Sequence, residues 1–133
     1  MKYQNLNLRD IFTLLSIFFI AIIVCYIYIV PGVCGAYHDD AIYVITAKAI
    51  AEGDGYRLIN LPDSPKQTKY PILYPFFLAA IWKCFPSFPQ NIFIFKIATA
   101  IVASLALCLF YIYLVRFNHS PRYIAFLSCI RIA

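Results

Sequence analysis

Charge is scarce in this sequence. Asp, Glu, Lys and Arg make up 13% of the 133 residues, while 63% are hydrophobic. Soluble domains carry about 45–50% apolar residues. Here the excess is gathered into blocks that hold no charge at all, which excludes an ordinary soluble core and points to an integral membrane protein. Basic runs are also missing. The net charge is +5, yet the eleven Lys and Arg stand singly. No nucleic-acid-binding patch is built from such a distribution, and in a membrane chain isolated cations set orientation instead. No C-x-x-C occurs among the five cysteines, so they carry no metal or redox motif. Cys25, Cys108 and Cys129 lie in apolar segments, where a buried thiol acts as a small hydrophobe. Cys34 and Cys84 share the polar region of the chain and are a pair that can form a disulfide.

Two segments are long enough to cross a bilayer. Residues 11–30 are twenty apolar or weakly polar residues without charge. At 1.5 Å per residue such a helix spans the ~30 Å hydrocarbon core. A cleaved signal peptide competes for this stretch, but its apolar region usually runs about 7–15 residues before a small-residue cut site. The longer run and the lack of a following A-x-A favour a retained anchor, with Tyr26 and Tyr28 in an interfacial belt. Residues 97–115 form a second uncharged run, which with its leading residues gives a span over 92–115. Lys96 sits near enough to its end to snorkel to the interface. A third apolar run begins at Tyr123, and the chain stops at Ala133 before it can cross.

Between the spans lies a polar segment, residues 31–90. Asp39 or Asp40 supplies an N-cap for a helix over about 40–52, and Gly53 supplies its stop. Ile42, Ile45, Ala49 and Ile50 recur near helical spacing, with Lys48 and Glu52 on another face. The pattern predicts a helix lying along the membrane surface. Leu61-Pro-Asp-Ser-Pro65 reads as loop. The apolar stretch from Ile72 to Trp82 is too short to span and is bracketed by prolines, so residues 72–85 are expected to be interfacial or re-entrant. Trp82 beside Lys83 is a pair suited to headgroup level.

The charge pattern favours one topology. With 72–89 kept at the surface, two spans place both termini on one side. That side holds Lys2, Arg9, Arg116, Arg122 and Arg131, opposed only by Asp10. The enclosed segment 31–90 has five basic and five acidic residues and nets zero. The positive-inside rule then makes the termini cytoplasmic and the segment with Asp39 and Asp40 extracytoplasmic.

That segment concentrates the chemistry. His38 to Tyr56 contains four of the six acidic residues of the chain. Carboxylates beside a membrane are costly unless wet, paired or used. Adjacent Asp39 and Asp40 have three possible employments: to cap the helix, to bind a divalent cation, or to act as a general base tuned by its neighbour. Polar residues on the same side are His38, Arg57, Lys66, Gln67, Lys69 and Tyr70. Lys69 and Arg57 have the charge and donors to hold a phosphate. Taken singly, each is also an ordinary solvated loop charge, and His38 an ordinary polar neighbour.

The ordered set from HDDAIYVITAKAIAEGDGY through KYPILYP, with one span before it and one after, resembles the N-terminal part of a type-C, multi-spanning glycosyltransferase. The likeness is to the family of protein O-mannosyltransferases and lipid A aminoarabinose transferases, and it covers residues 10–125. It implies transfer of a sugar from a polyprenyl-phosphate carrier at the outer face of the membrane. Asp39 would deprotonate the acceptor hydroxyl and Asp40 would take the supporting position. The family's Lys-Pro-Pro stretch, whose Lys contacts the donor phosphate, is matched by Lys69-Tyr70-Pro71. Either Lys69 does that work one residue out of register, or Tyr70 stands in its place with a hydroxyl. Some relatives set a metal-binding Glu beside that Lys; the neighbours here are Thr68 and Tyr70, which leaves a divalent metal open.

The expectation is therefore an all-α integral membrane chain with two transmembrane helices, two surface helices in the first outer loop, and the start of a third span. Family members have many more spans, so the chain reads as truncated and is expected to be catalytically inert alone. The sugar and the acceptor are not encoded in this stretch. Two readings compete with the enzyme: a small non-enzymatic membrane protein, and part of a transporter. The second is disfavoured because transporters place charges within their spans, and these spans hold only Lys96.

Overall fold

The computed structural model describes residues 6–29, 34–35, 39–117 and 119–132. Among the described residues there are five helices and no strand: α1 (Leu8–Tyr28), α2 (Asp39–Glu52), α3 (Leu73–Cys84), α4 (Asn91–Arg116) and α5 (Arg122–Ile132). α1 and α4, at 21 and 26 residues, are long and apolar enough to cross a membrane. The chain divides into two compact units. One holds Met1–Ile29 with Lys96–Ala133, the other Val30–Phe95.

α1 begins three residues ahead of the uncharged block 11–30 and ends two residues short of its end, and capping sets its start. α1 starts at Leu8, where the Asn7 side chain accepts from the Asp10 N–H at 3.1 Å and the Asp10 carboxylate accepts from the Asn7 N–H at 2.8 Å. This is a capping box, which satisfies two of the donors left over at a helix start. α4 begins at Asn91, ahead of Lys96, and continues to Arg116. A single charge one turn inside a helix does not break it.

In the first unit, Ile17 of α1, Tyr111 and Val115 of α4, and Ala125 and Cys129 of α5 form the buried cluster. Beside that cluster sits Asp10, 1% exposed. Its carboxylate accepts from the Tyr111 hydroxyl at 2.9 Å and from the Arg122 guanidinium at 2.8 and 3.4 Å. A buried carboxylate persists when it is paired and fully hydrogen-bonded. Asp10 therefore ties α1, α4 and α5 together across more than a hundred residues of sequence. In the sequence Asp10 and Arg122 were opposing entries in a charge count; in the fold they are partners.

In the second unit α2 packs on α3. Ala47, Leu78, Ala79, Trp82 and Phe95 are its buried cluster. Small residues on α2 let the two helices approach, and the larger apolar side chains come from α3 and the start of α4. α2 ends as its glycine predicts. The Gly53 N–H bonds the Ile50 carbonyl and the Asp54 N–H bonds the Ala49 carbonyl, with Gly53 at φ +95°. This paired pattern satisfies the last carbonyls and needs a left-handed residue, which glycine adopts without penalty. Pro75 falls in the first turn of α3, where a missing N–H is harmless. Among the described residues no disulfide forms, so Cys34 and Cys84 are not joined.

Candidate functional site

The site is assembled at the N-terminus of α2 by a loop that leaves the far end of the same helix and returns. After Gly53 the chain runs into a narrow turn. The Leu58 N–H bonds the Pro65 carbonyl at 2.9 Å, the Gln67 N–H bonds the Tyr56 carbonyl at 3.0 Å, and Arg57 pairs with Lys66 in an isolated bridge. Gln67 is buried and its side-chain oxygen accepts the Lys69 N–H at 2.9 Å. Next, the Tyr56 hydroxyl donates to the Tyr70 carbonyl at 2.9 Å. Burial, and behind it the neighbouring Tyr43 phenol, raise the Tyr56 pKa, so it stays a protonated donor at neutral pH. These bonds fix the backbone at Lys69 and Tyr70.

Tyr70 then reaches back to the start of α2. Its hydroxyl donates to Oδ1 of Asp39, a contact between residues 31 apart in sequence. The Tyr70 ring lies edge-on to Tyr43 at 5.5 Å between centroids, and Tyr43 lies edge-on to Tyr74 at 5.1 Å. Both are favoured aromatic geometries. The Lys69 ammonium sits 4.9 Å from the Tyr70 ring centroid. The Tyr70 side chain, with a smaller contribution from the Asp39 charge, raises the Lys69 pKa and keeps it cationic. Asp39, Lys69 and Tyr70 are thus brought together: a carboxylate oriented by a phenol, with an ammonium beside them.

The other anticipated residues go elsewhere. The Asp40 carboxylate accepts the Gly35 N–H, outside the helix, at 2.9 Å and the Ala41 N–H, in the first turn of α2, at 2.7 Å. The carboxylate also sits in the first turn, where it complements the helix dipole. Asp40→Ala is expected to cost ~1 kcal/mol of α2 stability. Hydrogen exchange should show this as faster exchange in the first turn of α2, with the Tyr70–Asp39 contact retained. Arg57 turns inward to the loop, donating to the Ser64 carbonyl at 3.1 Å. It shapes the turn that delivers Lys69. His38 lies outside the described residues. Among the described residues no three His, Cys, Asp or Glu side chains gather into a metal-binding group.

Two site residues escaped the sequence reading, Tyr43 and Tyr56. Tyr43 carried a signal: four residues after Asp39 in a helix, it must share that residue's face. Tyr56 carried none beyond closing the Gly-Asp-Gly-Tyr stop, because its partner is the carbonyl of a residue fourteen positions on. No known protein family, curated protein or solved structure matches this chain.

Proposed function

We propose that this chain handles a polyprenyl-phosphate-linked sugar at the extracytoplasmic face of a membrane, as part of a glycosyltransferase. In this reading α1 and α4 are the spans, both termini are cytoplasmic, and residues 31–90 face outward. Asp39 is the general base for the acceptor hydroxyl. Lys69 holds the donor phosphate, and Tyr70 orients the base. One observation supports this above the rest: residues near 39 and near 69, expected to share a site, converge through the Tyr70–Asp39 hydrogen bond. The chemistry suits an interface. The isoprenoid tail stays in lipid while its phosphate meets a cation, and that cation stabilises the charge gained by the departing polyprenyl phosphate.

Donor binding tests the assignment of Lys69 without requiring turnover. The full chain in detergent is titrated with polyprenyl-phosphate mannose and polyprenyl-phosphate aminoarabinose. Lys69→Ala is expected to weaken binding roughly tenfold or more, the worth of a charge-assisted hydrogen bond. Equal affinity of both forms would reduce Lys69 to a solvated loop charge. The competing reading, a non-enzymatic membrane protein, draws on Asp40, whose carboxylate is engaged by backbone N–H groups of Gly35 and Ala41. It predicts that neither lipid-linked sugar binds.

A further inference from the structure

α3 has two apolar faces, and α2 covers one of them. Leu78, Ala79 and Trp82 are buried in the cluster with Ala47 and Phe95. On the opposite side Leu73 is 78% exposed and Phe76 62% exposed, with Ala80, Lys83 and Cys84 continuing the same stripe at helical spacing. Ile72 just before the helix, and Phe85 and Phe88 just after it, are exposed as well. α2 shows no such surface: its large apolar residues are all at least partly covered, and its exposed positions include Glu52.

We infer that the Leu73–Phe76 face of α3 is seated in the lipid headgroup and acyl boundary, and that α2 forms a second layer resting on α3, out of contact with lipid. This rests on the membrane reading of α1 and α4. A lipid surface is favoured over a protein partner by continuity. The exposed Phe85 and Phe88 belong to the short connection that leads straight into α4, a helix long and apolar enough to cross the bilayer. The apolar stripe therefore runs up to the point where the chain would enter lipid. Lys83, exposed in the last turn of α3, can extend its ammonium to the phosphates while its stem stays in the apolar layer. An amphipathic helix of this kind buries its apolar face at the boundary and is held by aromatic anchors and cations. On this inference the 40–52 helix rests on α3 and not directly on lipid, giving an order of layers: lipid, α3, α2.

The test uses the full chain in vesicles of phosphatidylcholine and phosphatidylglycerol carrying lipids doxyl-labelled at shallow or deep positions. In a background with the native cysteines changed to alanine, a fluorophore is placed by Phe76→Cys, Lys48→Cys or Leu109→Cys. Position 76 should be quenched several-fold more by shallow than by deep label, position 48 on α2 should escape quenching, and position 109 within α4 should favour the deep label. Quenching at 109 with none at 76 would overturn the proposal while leaving the spans intact. A blue-shifted but unquenched fluorophore at 76 would show a second protein copy covering α3, which also overturns it. No quenching at any position would remove the membrane reading and the layer order together.

Discussion

Asp39→Asn is expected to lower sugar transfer by ~10²–10⁴-fold, the contribution of a positioned general base. The assay uses the chain expressed with whatever coding sequence follows Ala133, in membranes supplied with polyprenyl-phosphate-linked sugars. Asparagine is the informative replacement because its side-chain oxygen can still accept from the Tyr70 hydroxyl, which bonds Oδ1 of Asp39. The helix start, the loop and the tyrosine cluster should therefore survive, and donor binding with them, since Lys69 is untouched. What asparagine cannot do is take a proton. A loss confined to the chemical step would separate the base from a cap, whose removal would instead raise hydrogen exchange in the first turn of α2. Full activity in Asp39→Asn would end the case for a base at this position. Tyr70→Phe adds a second measurement. It keeps the carboxylate but frees its orientation, so its effect should be smaller and should vanish in an Asp39→Asn background. Residues that act as one unit are non-additive in this way.

The sequence made the helices legible and left the tertiary pairings hidden. α1 and α4 follow from two uncharged runs, and α2 from an acidic start and a glycine stop, because those signals are local and period-based. Gly53 closes α2 with the two hydrogen bonds its position implies. The capping box of Asn7 and Asp10 was equally local but lay under a charge count. The Asp10–Tyr111–Arg122 cluster had no local signal at all. Asp10 is 101 residues from Tyr111 and 112 from Arg122, and the packing of Ile17, Tyr111, Val115 and Cys129 brings their helices together. The candidate site divides along the same line. The expectation that Asp39 and Lys69 share one side of a membrane came from the charge pattern alone. That Tyr70 turns its hydroxyl to Asp39, and is therefore engaged with the carboxylate as well as adjacent to Lys69, depends on Tyr56 and Gln67 pinning the intervening loop. Asp40 and Arg57 show the reverse. Their residue types suit chemistry, and their hydrogen bonds to the Gly35, Ala41 and Ser64 backbone had no signal in the sequence.

Trp82→Ala should be the most damaging change to the second unit, destabilising it by ~3–5 kcal/mol. Trp82 is 6% exposed and its ring stacks against Phe95 at 5.8 Å and Phe88 at 6.2 Å between centroids. Alanine would leave a void bounded by Leu78, Ala79, Ala47 and Phe95. Ala47 and Ala79 are too small to fill it, and the surrounding helices are held at their spacing by those same alanines. A cavity that cannot collapse retains the full cost of lost contacts. The measurement is native-state hydrogen exchange of the full chain in detergent. Amides in the middle of α2 and α3 should exchange ~10²–10³-fold faster, since each 1.4 kcal/mol of local stability is about tenfold in the opening constant. The amides of α1 and α5 belong to the other unit and should be unchanged. Lys83→Ala, the next residue on α3 but on its exposed side, serves as the control and should leave α2 protection near its original level. If Trp82→Ala left α2 protected, α2 would not depend on α3 for its stability. Tyr74 of α3 lies edge-on to Tyr43, which lies edge-on to Tyr70, so under the proposed function the same variant should also weaken donor binding by loosening the base of the site.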